Sequence, residues 1–164
     1  MSALDDCHIR TALDAAARSP CRSKRGVALF DPRTGAHRGS GHNGPPAGRP
    51  CPGREVCAGT CGQRSVHAEV RALRDAERLW IPHYGGGGPG ELDLVHVELA
   101  PDGGVVACDG PSCWQCSREI LDVGFVGGVW LYERDLLGVA RPMWCRYSAD
   151  EFYRVTLARC GMAL

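Results

Sequence analysis

The chain has 164 residues, 44% of them apolar, which predicts one domain with a core of its own. Nineteen basic residues balance nineteen acidic ones, so the basic footprint of a nucleic-acid binder is missing. No apolar run reaches the length of a membrane span, and the start MSALDDCHIR has neither a basic nor an apolar leader segment, which predicts a cytoplasmic protein.

Residues 3–18 are alanine-rich and free of Gly and Pro, which predicts a first helix ending at Ser19-Pro20. GVALFDPRTGAHRGSG, residues 26–41, predicts a hairpin turning between Asp31 and Gly35. Residues 41–63 are too rich in Gly and Pro for either element and read as a long loop. Ser65 is placed to cap a helix over 66–80, with Val66, Val70, Leu73, Ala76 and Trp80 as its buried stripe. IPHYGGGGPG ends it as a connector, since no Lys-Ser/Thr follows to make a phosphate loop.

LDLVHVEL predicts a strand, PDGG a turn and VVAC a short strand. Ser112 is placed to cap a second helix over 113–123 that closes at Gly124. FVGGVWLYE predicts another strand, and 149–160 a last helix. The order α-ββ-α-β-α-β-α predicts a three-layer α/β/α fold around a mixed sheet. His96 and Glu98, two apart in a strand, share one face and read as sheet packing. Trp144, Tyr147, Phe152 and Tyr153 read as C-terminal packing, with a pocket wall as the alternative; Trp114 reads as core or pocket.

The cytosol keeps thiols reduced, so ten cysteines in such a chain point to metal chemistry and away from a disulfide framework. His67 and Glu69 fall in the first turn of their helix. Side chains there lean toward the N-terminus, so both reach a site just beyond the helix tip. Cys113 and Cys116 share a face in the first turn of theirs, where the helix dipole favours thiolates. One histidine and two thiolates make a three-ligand zinc site whose fourth position stays open, unlike a closed structural site.

VHAEV, PSCWQC and, earlier, GHNGPP follow the order of the motifs of the cytidine deaminase superfamily. The sequence resembles most closely its deoxycytidylate (dCMP) deaminase branch, over roughly residues 3–132. The resemblance implies hydrolytic deamination of a cytosine-type nucleotide or nucleoside, with dCMP as first guess. It implies zinc on His67, Cys113 and Cys116, and Glu69 moving the proton from the attacking water to the leaving nitrogen. It further implies that Asn43 binds sugar or base, that the Ala68 N–H binds the pyrimidine carbonyl, and that a second zinc sits on Cys21, Cys51, Cys57 and Cys61. An assembly of identical subunits is implied as well. Arg71 or Arg49 would meet a phosphate.

The chain departs from that branch at Ser112, where proline is usual, at Arg71, where asparagine is usual, and in the added stretch PDGGVVACDG. These departures leave the exact substrate open. Another small amino-heterocycle, such as a modified base or antibiotic precursor, fits the same chemistry. A nucleic-acid editing deaminase would need a basic stripe, and a non-catalytic zinc protein would have no need of Glu69.

Overall fold

The computed structural model describes residues 4–47, 49–51, 65–80, 92–111, 113–134 and 141–162. In chain order the elements are α1 (Asp6–Ala17), β1 (Lys24–Phe30), β2 (His37–His42), α2 (Ala68–Trp80) and β3 (Leu92–Leu99). They continue with α3 (Trp114–Asp122), β4 (Val126–Glu133), β5 (Met143–Ser148) and α4 (Ala149–Arg159). The sheet runs β2-β1-β3-β4-β5. Only β3 and β4 are parallel, and α3 lies in the crossover that a parallel pair requires. Every other neighbouring pair is antiparallel.

The strands alternate cleanly between two cores. Ala28, Phe30, Val95 and Val97 pack with Ala12 and Ala16 of α1 on one face. Val27, Leu29, Leu94, Val129 and Leu131 pack on the other with α2, Ile120 of α3 and Phe152 of α4. The expected three layers are therefore present. The hairpin is closed as its sequence predicts: the Gly35 N–H donates to the Asp31 carbonyl at 2.8 Å, and Gly35 takes the positive φ of 71° that glycine allows.

Helices sit on this sheet at backbone distance because small residues face each other. A Cβ on Gly26 would lie 2.1 Å from the carbonyl oxygen of Ala12 in α1. On the other face a Cβ on Gly41 would lie 2.5 Å from the Ala68 carbonyl oxygen and the Ala72 nitrogen of α2, and one on Gly39 would crowd Ala76. Ala68, Ala72 and Ala76 recur every fourth residue, so one stripe of methyls rides along β2.

The structure corrects several expectations. The helix expected over 66–80 begins at Ala68, because Val66 uses both its N–H and its carbonyl in a bridge to Gly44, at 2.8 and 3.1 Å. Val66 and Val70 are only half-buried, and Ala68, Ala72, Leu73 and Ala76 form the stripe. Cys113, not Ser112, caps α3 through its own sulfur, which accepts from the Cys116 N–H; Ser112 lies outside the described residues. VVAC joins the sheet by single bridges at Val105 and Cys108, not as a ladder. β5 was not expected. It is tied to β3 by Arg146, whose Nε and Nη2 donate to the fully buried Asp93 carboxylate at 2.9 and 2.7 Å, over the gap left by Gly128. Trp130 Nε1 donates to the same carboxylate at 2.8 Å. The connector 81–90 and loop residues 52–64 lie outside the described residues.

Two substitutions test this packing. Gly41→Ala drives a methyl into the α2 backbone and is expected to destabilise by about 1–3 kcal/mol, the range for overpacked cores, read as a lower midpoint in urea. Asp93→Ala removes the carboxylate that Arg146 and Trp130 share; since Arg146 is partly solvated, the loss should fall at or below the roughly 3–5 kcal/mol seen for broken buried pairs.

Candidate active site

The first turns of α2 and α3 converge on one face of the sheet. His67 precedes α2 and its carbonyl accepts the first helical hydrogen bond, from the Arg71 N–H at 3.3 Å. Its ring Nδ1 lies 3.0 Å from Cys116 Sγ and 3.3 Å from Cys113 Sγ, and the two sulfurs are 3.2 Å apart. All three donor atoms fall within 4.8 Å of one another, the sole such group of three among the described residues.

The donor set suits zinc. Bond lengths of about 2.0–2.3 Å in tetrahedral geometry separate such ligand atoms by roughly 3.5–3.8 Å, a few tenths of an ångström more than observed here. The protons are already unevenly held. Hydrogen bonding from Cys116 holds the Cys113 thiol down to about 4, against the opposing effect of burial. The same contact, then burial, pushes Cys116 up. A dication removes that conflict by taking both sulfurs as thiolates.

Glu69 is the second residue of α2, buried, beside but outside this triangle. Burial pushes its carboxyl up, while the facing His96 ring, its own backbone N–H and His67 pull it down further, so it stays ionised at neutral pH. Ala68 opens α2, so its N–H is among those a helix start leaves without an intrahelical acceptor.

A cleft opens beside these residues, about 560 Å³ of non-atom space when its open mouth is included. Its walls include Glu69, Cys113, Pro111, Leu131 and Phe152, and also Arg25, His96 and Glu98. The last three are the residues sequence reasoning missed. His96 and Glu98 do share a strand face as expected, but that face lines the cleft, so the packing reading is corrected. Arg25 stands opposite Glu98 in the β1–β3 register and pairs with it at 3.4 Å. Ser23 Oγ donates to Glu98 Oε1 at 2.8 Å. The alternation L-x-L-x-H-x-E in β3, apolar turning polar on one face, was the available signal.

The remaining candidates are placed as follows. Asn43 is buried and does not line the cleft: its Oδ1 accepts from Ser19 Oγ at 2.7 Å and from the Arg25 N–H at 2.8 Å, and its Nδ2 donates to the Ser23 carbonyl at 2.8 Å. Its amide fixes the chain that carries Arg25. Arg71 donates to the Pro45 carbonyl and lies 3.5 Å from His42 Nε2, and neither it nor Arg49 lines the cleft. Cys21 is buried and Cys51 half-buried, whereas Cys57 and Cys61 lie outside the described residues. Of the C-terminal aromatics, Phe152 walls the cleft; Tyr147 donates to Glu133 at 2.8 Å, and Trp144 packs against Tyr132. Trp114 lies under the Arg118 guanidinium, away from the cleft.

No protein-family model matches the sequence, and no curated protein matches it. Solved structures do. A cytidine deaminase from Burkholderia pseudomallei is 20% identical with a TM-score of 0.55, over 92% of this chain and 96% of that one. A dCMP deaminase from the cyanophage S-TIM5, in apo form, is 21% identical with a TM-score of 0.51, over 76% of this chain and 78% of that one. At such identities the likeness is one of architecture, and the chain has the α/β cytidine deaminase-like fold.

Proposed function

We propose that the chain is a single zinc-dependent deaminase domain that hydrolyses the exocyclic amine from a cytosine-type nucleoside or nucleotide, with dCMP the first substrate to test. The observation that carries this reading is the placement of one buried carboxylate, Glu69, beside a triangle of one imidazole and two sulfurs at the mouth of a cleft. A structural metal site needs no such carboxylate. The two solved structures named above are of a cytidine deaminase and a dCMP deaminase, which supports the same reading.

His67, Cys113 and Cys116 would hold the zinc, which when bound supplies a Lewis acid and brings the pKa of water toward neutrality. Glu69 takes a proton from the attacking water at a carboxylate oxygen and delivers it to the departing nitrogen. Ala68, at the tip of α2, offers its N–H to the pyrimidine carbonyl. Phe152 and Leu131 give the base an apolar wall. Asn43 acts at one remove, by fixing the backbone of Arg25 at the cleft edge. Cys21, Cys51, Cys57 and Cys61 are proposed to hold a second, structural zinc, and the active form to be a homo-oligomer in the cytoplasm. Among the described residues no helix is long and apolar enough to cross a membrane.

The direct test is ammonia release from dCMP, CMP, deoxycytidine, cytidine, guanine and adenosine by the zinc-loaded protein. Turnover of a cytosine compound is expected, and turnover of guanine or adenosine alone would overturn the substrate class. Glu69→Gln should lower kcat by about 10²–10⁴-fold or more while zinc content and melting temperature hold. Loss of zinc in that variant would make Glu69 a ligand. Elemental analysis should give two zinc ions per chain, falling to one in Cys51→Ser with activity retained; Cys113→Ser should lose the other ion together with turnover.

A further inference from the structure

Among the described residues, one buried polar atom in the cleft has no hydrogen-bond partner: Nε2 of His96. It lies 3.9 Å from Glu69 Oε1, with side-chain exposures of 18% and 11% for the two residues. That separation is too long for a hydrogen bond and too short to hold anything between them. His96 sits on β3 near the middle of the sheet, in register with Val27 of β1 on one side and Leu131 of β4 on the other. Its backbone is therefore held by strands on both sides. Along the same face of β3, Leu92 and Leu94 are fully buried and enter the core. A third aliphatic residue would continue that core; a histidine there places a ring nitrogen against the one carboxylate that the proposed reaction uses.

A general base must be aimed as well as ionised. Glu69 has several rotatable bonds, and its carboxylate already meets its own backbone N–H and the Cys116 thiol, while Oε1 faces His96. Resting structures often leave catalytic hydrogen bonds long, and these tighten when the reactants are in place. A shift of about 1 Å, within the reach of side-chain rotation, brings Nε2 and Oε1 to hydrogen-bond distance.

We propose that His96 is a positioning residue for Glu69: its Nε2–H engages Oε1, fixes the carboxylate rotamer, and leaves the second oxygen facing the reacting water and amine. The reaction served rests on the function proposed above, whereas the contact itself does not. Arg25 and Glu98 flank the pair but are engaged with each other, and Cys113 faces it from α3.

The test uses the zinc-loaded full-length protein. His96→Leu fills the space without a donor and is expected to lower kcat by about 10²-fold, the effect of a misplaced catalytic group, with KM nearly unchanged. His96→Gln carries an amide N–H close to the Nε2 position and should restore most of that loss. Melting temperature and zinc content should stay at the wild-type value in both. A full kcat in His96→Leu would overturn the proposal, as would a loss confined to KM, which would mark His96 as a substrate contact. Equal impairment of the Leu and Gln variants would also overturn it. Independently of any substrate, the ¹⁵N chemical shift of His96 Nε2 should differ between wild type and Glu69→Gln, and an unmoved shift would overturn the contact. If the wild-type protein releases ammonia from no cytosine compound, the proposed reaction fails, and the nitrogen shift still decides the contact.

Discussion

The site depends on how closely α2 approaches the sheet. Gly39 and Gly41 of β2 leave no side chain between strand and helix, and the methyls of Ala68, Ala72 and Ala76 fill the remaining gap. Interiors are close-packed, so a helix seated on backbone has little freedom to slide or roll. The first turn of α2 is thereby fixed relative to β1 and β3, and with it His67 and Glu69. α3, capped by a cysteine sulfur, brings the other two donors to the same point. A zinc ion held there would tolerate only a few tenths of an ångström in its ligand distances, which small-residue docking can deliver.

The electrostatic demands on the two groups at this point oppose each other. The sulfurs must lose protons and lie 3.2 Å apart, where one negative charge resists the second. Glu69 must stay ionised although it is buried. Two helix N-termini help both demands, since their unpaired N–H groups favour negative charge. A dication on the two sulfurs would answer the first demand. The cleft wall is balanced in the same way, because Arg25 is matched by Glu98 and adds no net charge to the approach.

Most of this was legible because it is local. Two cysteines three apart, an acid two residues from a histidine, an alanine-rich first helix and a Gly-closed hairpin are all fixed by short-range spacing. β5 escaped because MWCRYS is an edge strand with only one neighbour and only partly covered faces, so its burial alternation is weak, and because its anchor, Arg146 on Asp93, joins residues far apart in the chain. His96 and Glu98 were seen as sharing a face, yet which face opens on a cleft depends on where α2 and α3 end. Asn43 was read from its neighbours in a motif, while its contacts come from Ser19, Ser23 and Arg25, which the turn after α1 brings back beside it. Ser112 looked like a cap by residue type, but the cysteine after it holds that position with a sulfur.

The Asn43 network also joins the chain between α1 and β1 to the cleft wall. Ser19, Ser23 and Arg25 are all held by one carboxamide, and Lys24 adds a bond from Nζ to the Ser19 carbonyl at 2.8 Å. This short segment is therefore tied to the start of β1. Because Arg25 is register-paired with Glu98, which lies two residues from His96 on the same face, the segment is joined to the cleft wall through the sheet. The two antiparallel strands then act as a rigid bar: one end is fixed by Asn43, and its middle carries the imidazole that faces Glu69. The imidazole that faces Glu69 at the tip of a helix thus stands on a strand paired on both sides, β1 on one and β4 on the other.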